Sequence, residues 1–140
     1  MTNLIETDKA ILPIESIMVA LNITKEKLLS YDVKPEIING KPYYANLDFL
    51  LFMKRQHCKN LCYKLNQLPP DKLRERNNLL EKILGKTGAT FLIEQPFMCD
   101  YGYNIEIGDG FCSNHNLLIL DSTKVTFGKN VLVGPNCSFL

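Results

Sequence analysis

The sequence lacks the features that mark membrane, secreted and nucleic-acid-binding proteins. No apolar run approaches the ~20 residues that a membrane-spanning helix needs, so no transmembrane segment is expected. The first residues contain no basic stretch followed by an apolar one, which predicts a protein without a secretory signal and with a cytoplasmic location. The net charge is only +1, so bulk electrostatics favours neither nucleic acid nor a charged membrane surface.

Cysteine is present, but without the spacing of a disulfide framework or a complete metal site. The five cysteines are an odd number at irregular intervals, which favours reduced thiols. Cys58 and Cys62 are four residues apart, beside His57, and could lie near one another on a helix. The sequence contains no second ligand pair with zinc-like spacing. We therefore interpret the cysteines as small buried hydrophobic residues and assign no metal.

Three segments differ in composition and periodicity. In residues 1–36 the pattern predicts two short helices, at 14–21 and 25–31, but specifies no role. Residues 37–96 are predicted to form a helical domain, because their apolar residues recur mostly at intervals of three and four. From Phe91 on the period changes to short apolar stretches separated by glycine and asparagine, which indicates short strands, and the third segment is placed at residues 97–140.

The second segment predicts a helical hairpin. Its first helix covers 47–65, and we assign Asn46 and Asp48 to the capping of that helix, before Phe49. Pro70 and Asp71 predict the start of a second helix, because proline suits the first helical position and an acid suits the positive N-terminal end. Gly85 predicts the end of this second helix.

The third segment has a six-residue repeat. Phe127, Val133 and Phe139 are six residues apart, and a glycine follows each of the first two. This pattern is typical of a hexapeptide parallel β-helix. Ile107 lies 20 residues before Phe127, two more than three hexapeptides, which predicts a small loop near 121–124. Antiparallel hairpins are disfavoured because the segment has no Asn-Gly turn.

Residues of the helical segment and of the segment with strands together form the pattern of a known family. In the helical segment they are Gly40–Asp48, Leu51, Asn66 and Arg76. In the segment with strands they are Cys99–Gly108 (CDYGYNIEIG), Phe111, Asn114, Leu120, Asp121 and Phe127–Pro135. Together they closely resemble the maltose and galactoside O-acetyltransferases. The resemblance implies an α+β fold, with an N-terminal helical cap followed by the first coils of a left-handed parallel β-helix, which would be truncated here.

The resemblance also implies a chemistry. In that family a histidine acts as general base on a sugar hydroxyl, and the hydroxyl oxygen attacks the thioester carbonyl of acetyl-CoA. It therefore implies acetyl-CoA as co-substrate, a sugar acceptor, no metal, and a homotrimer with sites between subunits. The catalytic histidine and the CoA-binding coils would fall past Leu140, so this portion alone is expected to be marginally stable and inactive. His57 is not expected to replace the base, and His115 is expected to have a corner role.

By the same resemblance, three residues are predicted to line the acceptor site. Asn114 aligns with a family asparagine beside the acceptor sugar, and Asp121 aligns with a family acid at the same corner. Asp100 takes a substrate-facing position held by serine in galactoside-specific relatives and by aspartate in maltose-type relatives. The alternative is that these side chains only satisfy the local backbone at coil corners. No catalytic or cofactor-binding residue is predicted in the chain.

Two other functions stay open. The N-terminal third also resembles an excisionase-like winged helix, in which Lys25, Lys27 and Ser30 would face the major groove of DNA. Residues 1–57 contain seven basic and seven acidic side chains, and this zero balance disfavours DNA binding, which depends on neutralising phosphates. The other possibility is a non-catalytic partner that assembles with a full-length relative.

Overall fold

The computed structural model describes residues 4–7, 10–13, 24 and 48–140. The chain forms two compact units, residues 1–57 and residues 58–140. None of the helices in the described ranges has the length and apolar character of a membrane-spanning segment. The helices predicted at 14–21 and 25–31 lie outside the described residues, as do Lys25, Lys27 and Ser30.

The first unit contains a two-stranded antiparallel sheet. Strand β1 (Leu4–Thr7) pairs with strand β2 (Ala10–Pro13), and Thr7 lies opposite Ala10 next to the connection between them. The sequence does not predict this sheet, because strands of four residues show too little alternation to be distinguished from loops.

Helix α1 (Phe49–Gln67) confirms the first predicted helix, with both ends two residues later than predicted, and Asn46 lies outside the described residues. The backbone N–H of Leu51 donates to Oδ1 of Asp48 at 3.0 Å, so the Asp48 side chain satisfies a donor that the first turn leaves unpaired. The capping role assigned to Asp48 is therefore confirmed.

Helix α2 (Leu73–Ile83) begins later than the sequence indicated. The prediction that Pro70 and Asp71 open the helix was wrong. Both residues lie in a turn, which is closed by a hydrogen bond from the N–H of Lys72 to the carbonyl oxygen of Pro69 at 3.1 Å. A proline followed by an acid suits such a turn as well as it suits a helix start, so composition alone did not separate the two.

The end of helix α2 lies very close to the strands that follow. The N–H of Gly85 donates to the carbonyl oxygens of Gly102 and Ile105, at 3.1 and 3.0 Å. A Cβ atom at Gly85 would collide with the carbonyl group of Tyr103. The glycine predicted to end the helix is therefore also needed because another backbone segment passes close to it.

From Phe91 onward the chain forms short strands that pair only in parallel. They are β3 (Phe91–Ile93), β4 (Phe97–Cys99), β5 (Ile105–Ile107), β6 (Phe111–Ser113), β7 (Leu117–Ile119), β8 (Val125–Phe127), β9 (Leu132–Val133) and β10 (Ser138–Phe139). The three sheets are β3–β6–β9, β4–β7–β10 and β5–β8. Each strand pairs with the strand three further along, so the chain winds as a parallel β-helix, as predicted.

The register shows where the extra residues of each coil lie. Phe97 pairs with Leu117 and Ile105 pairs with Val125, in both cases 20 positions apart. Strands β4 and β5 begin eight residues apart, at 97 and 105, whereas β3 and β4 begin six apart, at 91 and 97. The longer corner recurs between β7 and β8, which confirms the loop predicted near 121–124. The equivalent corner at 100–104 was not predicted.

The interior of the coils is filled by the residues of the six-residue repeat. The ring centroids of Phe111 and Phe127 are 5.1 Å apart, and those of Phe127 and Phe139 are 5.0 Å apart. Phe97, Ile105 and other apolar residues of the earlier strands are almost fully buried. Each such side chain contributes about 1.5–3 kcal/mol by its removal from water.

Two polar side chains join the helices to the first coil. The Asn66 side chain accepts a hydrogen bond from the N–H of Phe97 and donates one to its carbonyl oxygen, both at 2.9 Å. The buried guanidinium of Arg76 donates to the carbonyl oxygens of Ile93 at 2.9 Å and Pro70 at 3.1 Å. Both residues belong to the family pattern, and both satisfy backbone groups that would otherwise lie unpaired in the interior.

The domain borders predicted at 36/37 and 96/97 remain predictions. The structure adds that strand β3 pairs with β6, so the first strand of the β-helix precedes residue 97.

Candidate functional site

Asp121 lies in the long corner after β7 and is 0% exposed. Its Oδ1 accepts hydrogen bonds from the N–H groups of Asp100 and Tyr101, at 3.0 and 2.8 Å. Its carbonyl oxygen accepts a hydrogen bond from the Asn104 side-chain amide at 2.7 Å. Asp121 therefore closes the corner of the preceding coil, and the backbone role considered for it explains one of its two carboxylate oxygens.

The other oxygen, Oδ2 of Asp121, is buried without a hydrogen-bond partner among the described residues. Burial raises the pKa of the Asp121 carboxyl from its ordinary value of 3.8 to about 6, against the opposing effect of the N–H donors of Tyr101 and its neighbours. An unpaired buried oxygen is costly, so it would gain from a hydroxyl donor. Asp121 thus remains a candidate for acceptor binding.

Asn114 lies at the corner that follows β6. Its Oδ1 accepts a hydrogen bond from the N–H of His115 at 2.8 Å, which leaves its Nδ2 to donate. Nδ1 of His115 lies 2.6 Å from the carbonyl oxygen of Gln95, so the imidazole connects two successive coils. His115 thus lies at a corner of the coils, and the role expected for it stays a prediction.

An open groove of about 450 Å³ runs past Asn114. Its lining includes the apolar side chains of Leu92 and Leu132 and the polar groups of Glu94, Ser113, Asn114 and His115. The hydroxyl of Ser113 is fully buried and has no partner among the described residues. An apolar surface with a few hydrogen-bonding groups is the usual composition of a small-molecule site.

The structure brings together two of the three residues predicted for the acceptor site. Asp100 and Asp121 meet at one corner, through the hydrogen bond from the Asp100 N–H. Asn114 lies at a different corner, at the other end of strand β7. Of the three, only Asn114 lines the groove. The assignment of all three to acceptor binding stays a prediction.

A second cluster consists of thiols. The Sγ atoms of Cys58, Cys62 and Cys99 all lie within 4.8 Å of one another, with Cys99 at 3.5 Å from Cys58 and 3.9 Å from Cys62. The three residues are 2%, 4% and 4% exposed. The spacing in the sequence indicates Cys58 and Cys62 but not Cys99, because 37 residues separate Cys99 from Cys62 and only the fold brings it to helix α1.

The sulfur atoms influence one another electrostatically. A hydrogen bond from Cys58 lowers the pKa of Cys62 to about 4, with a further contribution from Cys99. The hydrogen bond with Cys62 and burial raise the pKa of Cys58, and hydrogen bonds with both neighbours, together with burial, raise that of Cys99. These hydrogen bonds therefore favour the thiolate form of Cys62 over that of its two neighbours.

Known proteins share the sequence pattern of this chain. The family model described as the maltose acetyltransferase hexapeptide capping motif matches residues 36–88. A Saccharomyces cerevisiae protein that carries the name of an acetyltransferase (YJL218W) is 42% identical over 104 residues, which cover 74% of this chain and 53% of the yeast protein.

Two solved structures share the fold. The maltose O-acetyltransferase from Clostridium difficile 630 superposes with a TM-score of 0.73 at 37% identity, over 78% of this chain and 58% of the other. A galactoside acetyltransferase solved in complex with coenzyme A gives a TM-score of 0.72 at 33% identity, over 78% of this chain and 54% of the other.

The capping motif, the two helices and the parallel coils define a hexapeptide-repeat protein with a left-handed β-helix. The chain belongs to the family of maltose and galactoside O-acetyltransferases. It spans about half the length of the curated relatives that it matches, 53% of one and 41% of another.

Proposed function

We propose that this chain is part of an acetyl-CoA-dependent sugar O-acetyltransferase, to which it contributes residues of the acceptor site. The observation that carries the proposal is the combination of the capping motif at 36–88 with the parallel coils that follow it. The names of the two solved relatives, a maltose O-acetyltransferase and a galactoside acetyltransferase with coenzyme A, support a sugar acceptor and a CoA thioester. A homotrimer in the cytoplasm is part of the same proposal.

The proposed reaction moves an acetyl group from sulfur to oxygen. A sugar hydroxyl oxygen attacks the thioester carbonyl carbon while a base removes the hydroxyl proton. Collapse of the tetrahedral intermediate then breaks the carbon–sulfur bond, and the sulfur takes the proton back from the base, so that CoA leaves as its thiol. Because His115 is used to connect two coils, we assign no base among the described residues. We expect this chain alone to bind the acceptor without transferring acetyl.

In this proposal the groove beside Asn114 holds the acceptor. The Asn114 Nδ2 donates to a sugar hydroxyl, since its Oδ1 already accepts from the N–H of His115. Asp100 and Asp121 would serve the acceptor from their own corner, where Oδ2 of Asp121 can accept a hydrogen bond. Amide and carboxylate groups suit a sugar because the two polar atoms of one such group can form hydrogen bonds to two neighbouring hydroxyls.

The test is sugar binding measured by calorimetry with a methyl galactoside and with maltose. We expect Asn114→Ala to weaken binding about two- to tenfold, because a lost hydrogen bond is worth about 0.5–1.5 kcal/mol. Asn78→Ala is the matched control, because Asn78 is an exposed asparagine on helix α2. Equal affinities of the two variants would contradict the role of Asn114, and no binding of either sugar to the unmodified chain would contradict the proposal.

A further inference from the structure

The thiol cluster is assembled from two elements. Cys58 and Cys62 are four residues apart on helix α1, so they share one face of the helix, and Cys99 ends strand β4. None of the three lines the groove beside Asn114. Their arrangement therefore needs an explanation separate from acceptor binding.

We propose that Cys58, Cys62 and Cys99 bind a soft metal ion, and that the ion is Cu(I) held by three sulfur atoms. A metal–sulfur bond of ~2.3 Å in a trigonal plane places the sulfur atoms about 4 Å apart. The observed separations from Cys99 are 3.5 and 3.9 Å, and the third lies within 4.8 Å. Small side-chain rotations are enough to admit the ion.

The donors select the ion. Thiolates are soft ligands that favour Cu(I), zinc and iron–sulfur clusters over harder ions. A structural zinc site requires four ligands, and among the described residues around this cluster only the three cysteines have ligand atoms that all lie within 4.8 Å of one another. With exposures of 2–4% the cluster also leaves little access for a water ligand. Cu(I), which accepts three sulfur ligands, fits this set best.

Binding requires no redox step. Each sulfur that forms a bond to Cu(I) releases its proton to solvent, and neither the metal nor the thiol changes oxidation state. Because the ion would connect helix α1 to the first coil, it would stabilise the folded state over the unfolded chain.

The experiment uses the full chain under anaerobic, reducing conditions. Cys112 and Cys137 are only partly buried and lie outside the cluster, so Cys112→Ser with Cys137→Ser gives a background in which the cluster thiols alone remain. We expect this background to bind one Cu(I) per chain, by native mass spectrometry and by competition with a colorimetric Cu(I) chelator. Replacing Cys58, Cys62 or Cys99 by serine should weaken the affinity about 100-fold or more, since even outer-shell changes cost 10–100-fold.

A serine in a buried site could also disturb folding, so the metal environment is measured on the background with all three thiols intact. X-ray absorption should find three sulfur neighbours around Cu(I). Two sulfur neighbours, no binding in competition with the chelator, or binding that disappears with Cys112 and Cys137 would each overturn the proposal. Preferential binding of zinc with a fourth, lighter ligand would overturn the assignment to Cu(I).

Discussion

The two carboxylate oxygens of Asp121 have different environments. Oδ1 accepts two backbone hydrogen bonds, whereas Oδ2 is buried without a partner among the described residues. A side chain that closes a corner and also carries an unpaired oxygen can support the fold and bind a ligand. The two interpretations given for Asp121 are therefore compatible.

The raised pKa of Asp121 predicts a pH dependence of stability. Because the folded-state pKa of about 6 exceeds the ordinary 3.8, the folded protein holds the proton more tightly. The stabilisation of the folded state that comes from this protonated carboxyl is fully present below about pH 4 and is lost as the pH rises through 6. Between pH 4 and 7 the free energy of unfolding should fall relative to that of Asp121→Asn by about 1–3 kcal/mol. Urea unfolding at several pH values measures this, and parallel pH profiles would contradict it.

Gly102 predicts a backbone effect. Its φ is 78°, in the left-handed region that favours glycine, and a Cβ atom there would collide with the carbonyl group of Ile83. Gly102→Ala should lower the free energy of unfolding by about 1–3 kcal/mol. Gly128→Ala is the control, because a Cβ at Gly128 would meet nothing within 4 Å. Equal urea midpoints for the two variants would show that the close approach carries no energetic cost.

At the scale of elements, the helices and coils share hydrogen bonds. Asn66 at the end of helix α1 bonds both backbone groups of Phe97, in the manner of a neighbouring strand. Gln95, just before β4, donates from its side chain to the carbonyl oxygens of Leu65 and Leu68, at and just past the end of the helix. The helical cap and the first coil therefore depend on each other.

We predict that Asn66→Ala lowers the free energy of unfolding by about 1–3 kcal/mol, since it leaves the N–H and carbonyl of Phe97 unsatisfied. Chemical denaturation measures the loss, and Asn78→Ala on helix α2 provides the same substitution at an exposed site. If the two variants were equally stable, water would have to replace both bonds without cost.

The sequence predicted those elements whose signals are local. The cap at Asp48 could be found because it depends on nearby residues. The 20-residue interval from Ile107 to Phe127 could be found because the same apolar–glycine pair marks both of its ends. The start of helix α2 could not, since the turn at Pro70 depends on one backbone hydrogen bond. The role of Cys99 could not either, because its partner Cys58 is 41 positions away. For the candidate site, resemblance supplied the residues, and only the fold shows that Asn114 and Asp121 lie at separate corners.

At the scale of the whole molecule, charge distinguishes the remaining alternatives. The seven basic and seven acidic side chains of residues 1–57 cancel. We therefore expect no salt-dependent binding of the protein to duplex DNA, because non-specific affinity for DNA comes mainly from the neutralisation of phosphates. Fluorescence anisotropy with labelled duplex at two salt concentrations tests this. An affinity that falls steeply with added salt would instead favour the winged-helix interpretation.

The uniform register has a consequence for how such a chain can change in length. Phe97 and Leu117, like Ile105 and Val125, are one complete coil apart. Duplicating a complete 20-residue unit would add a further layer, ~4.8 Å thick, and would leave the pairing on both sides intact. An insertion of one residue inside a strand would turn its apolar side chains outward. In this fold, growth by duplication of whole coils is tolerated far better than growth by single residues.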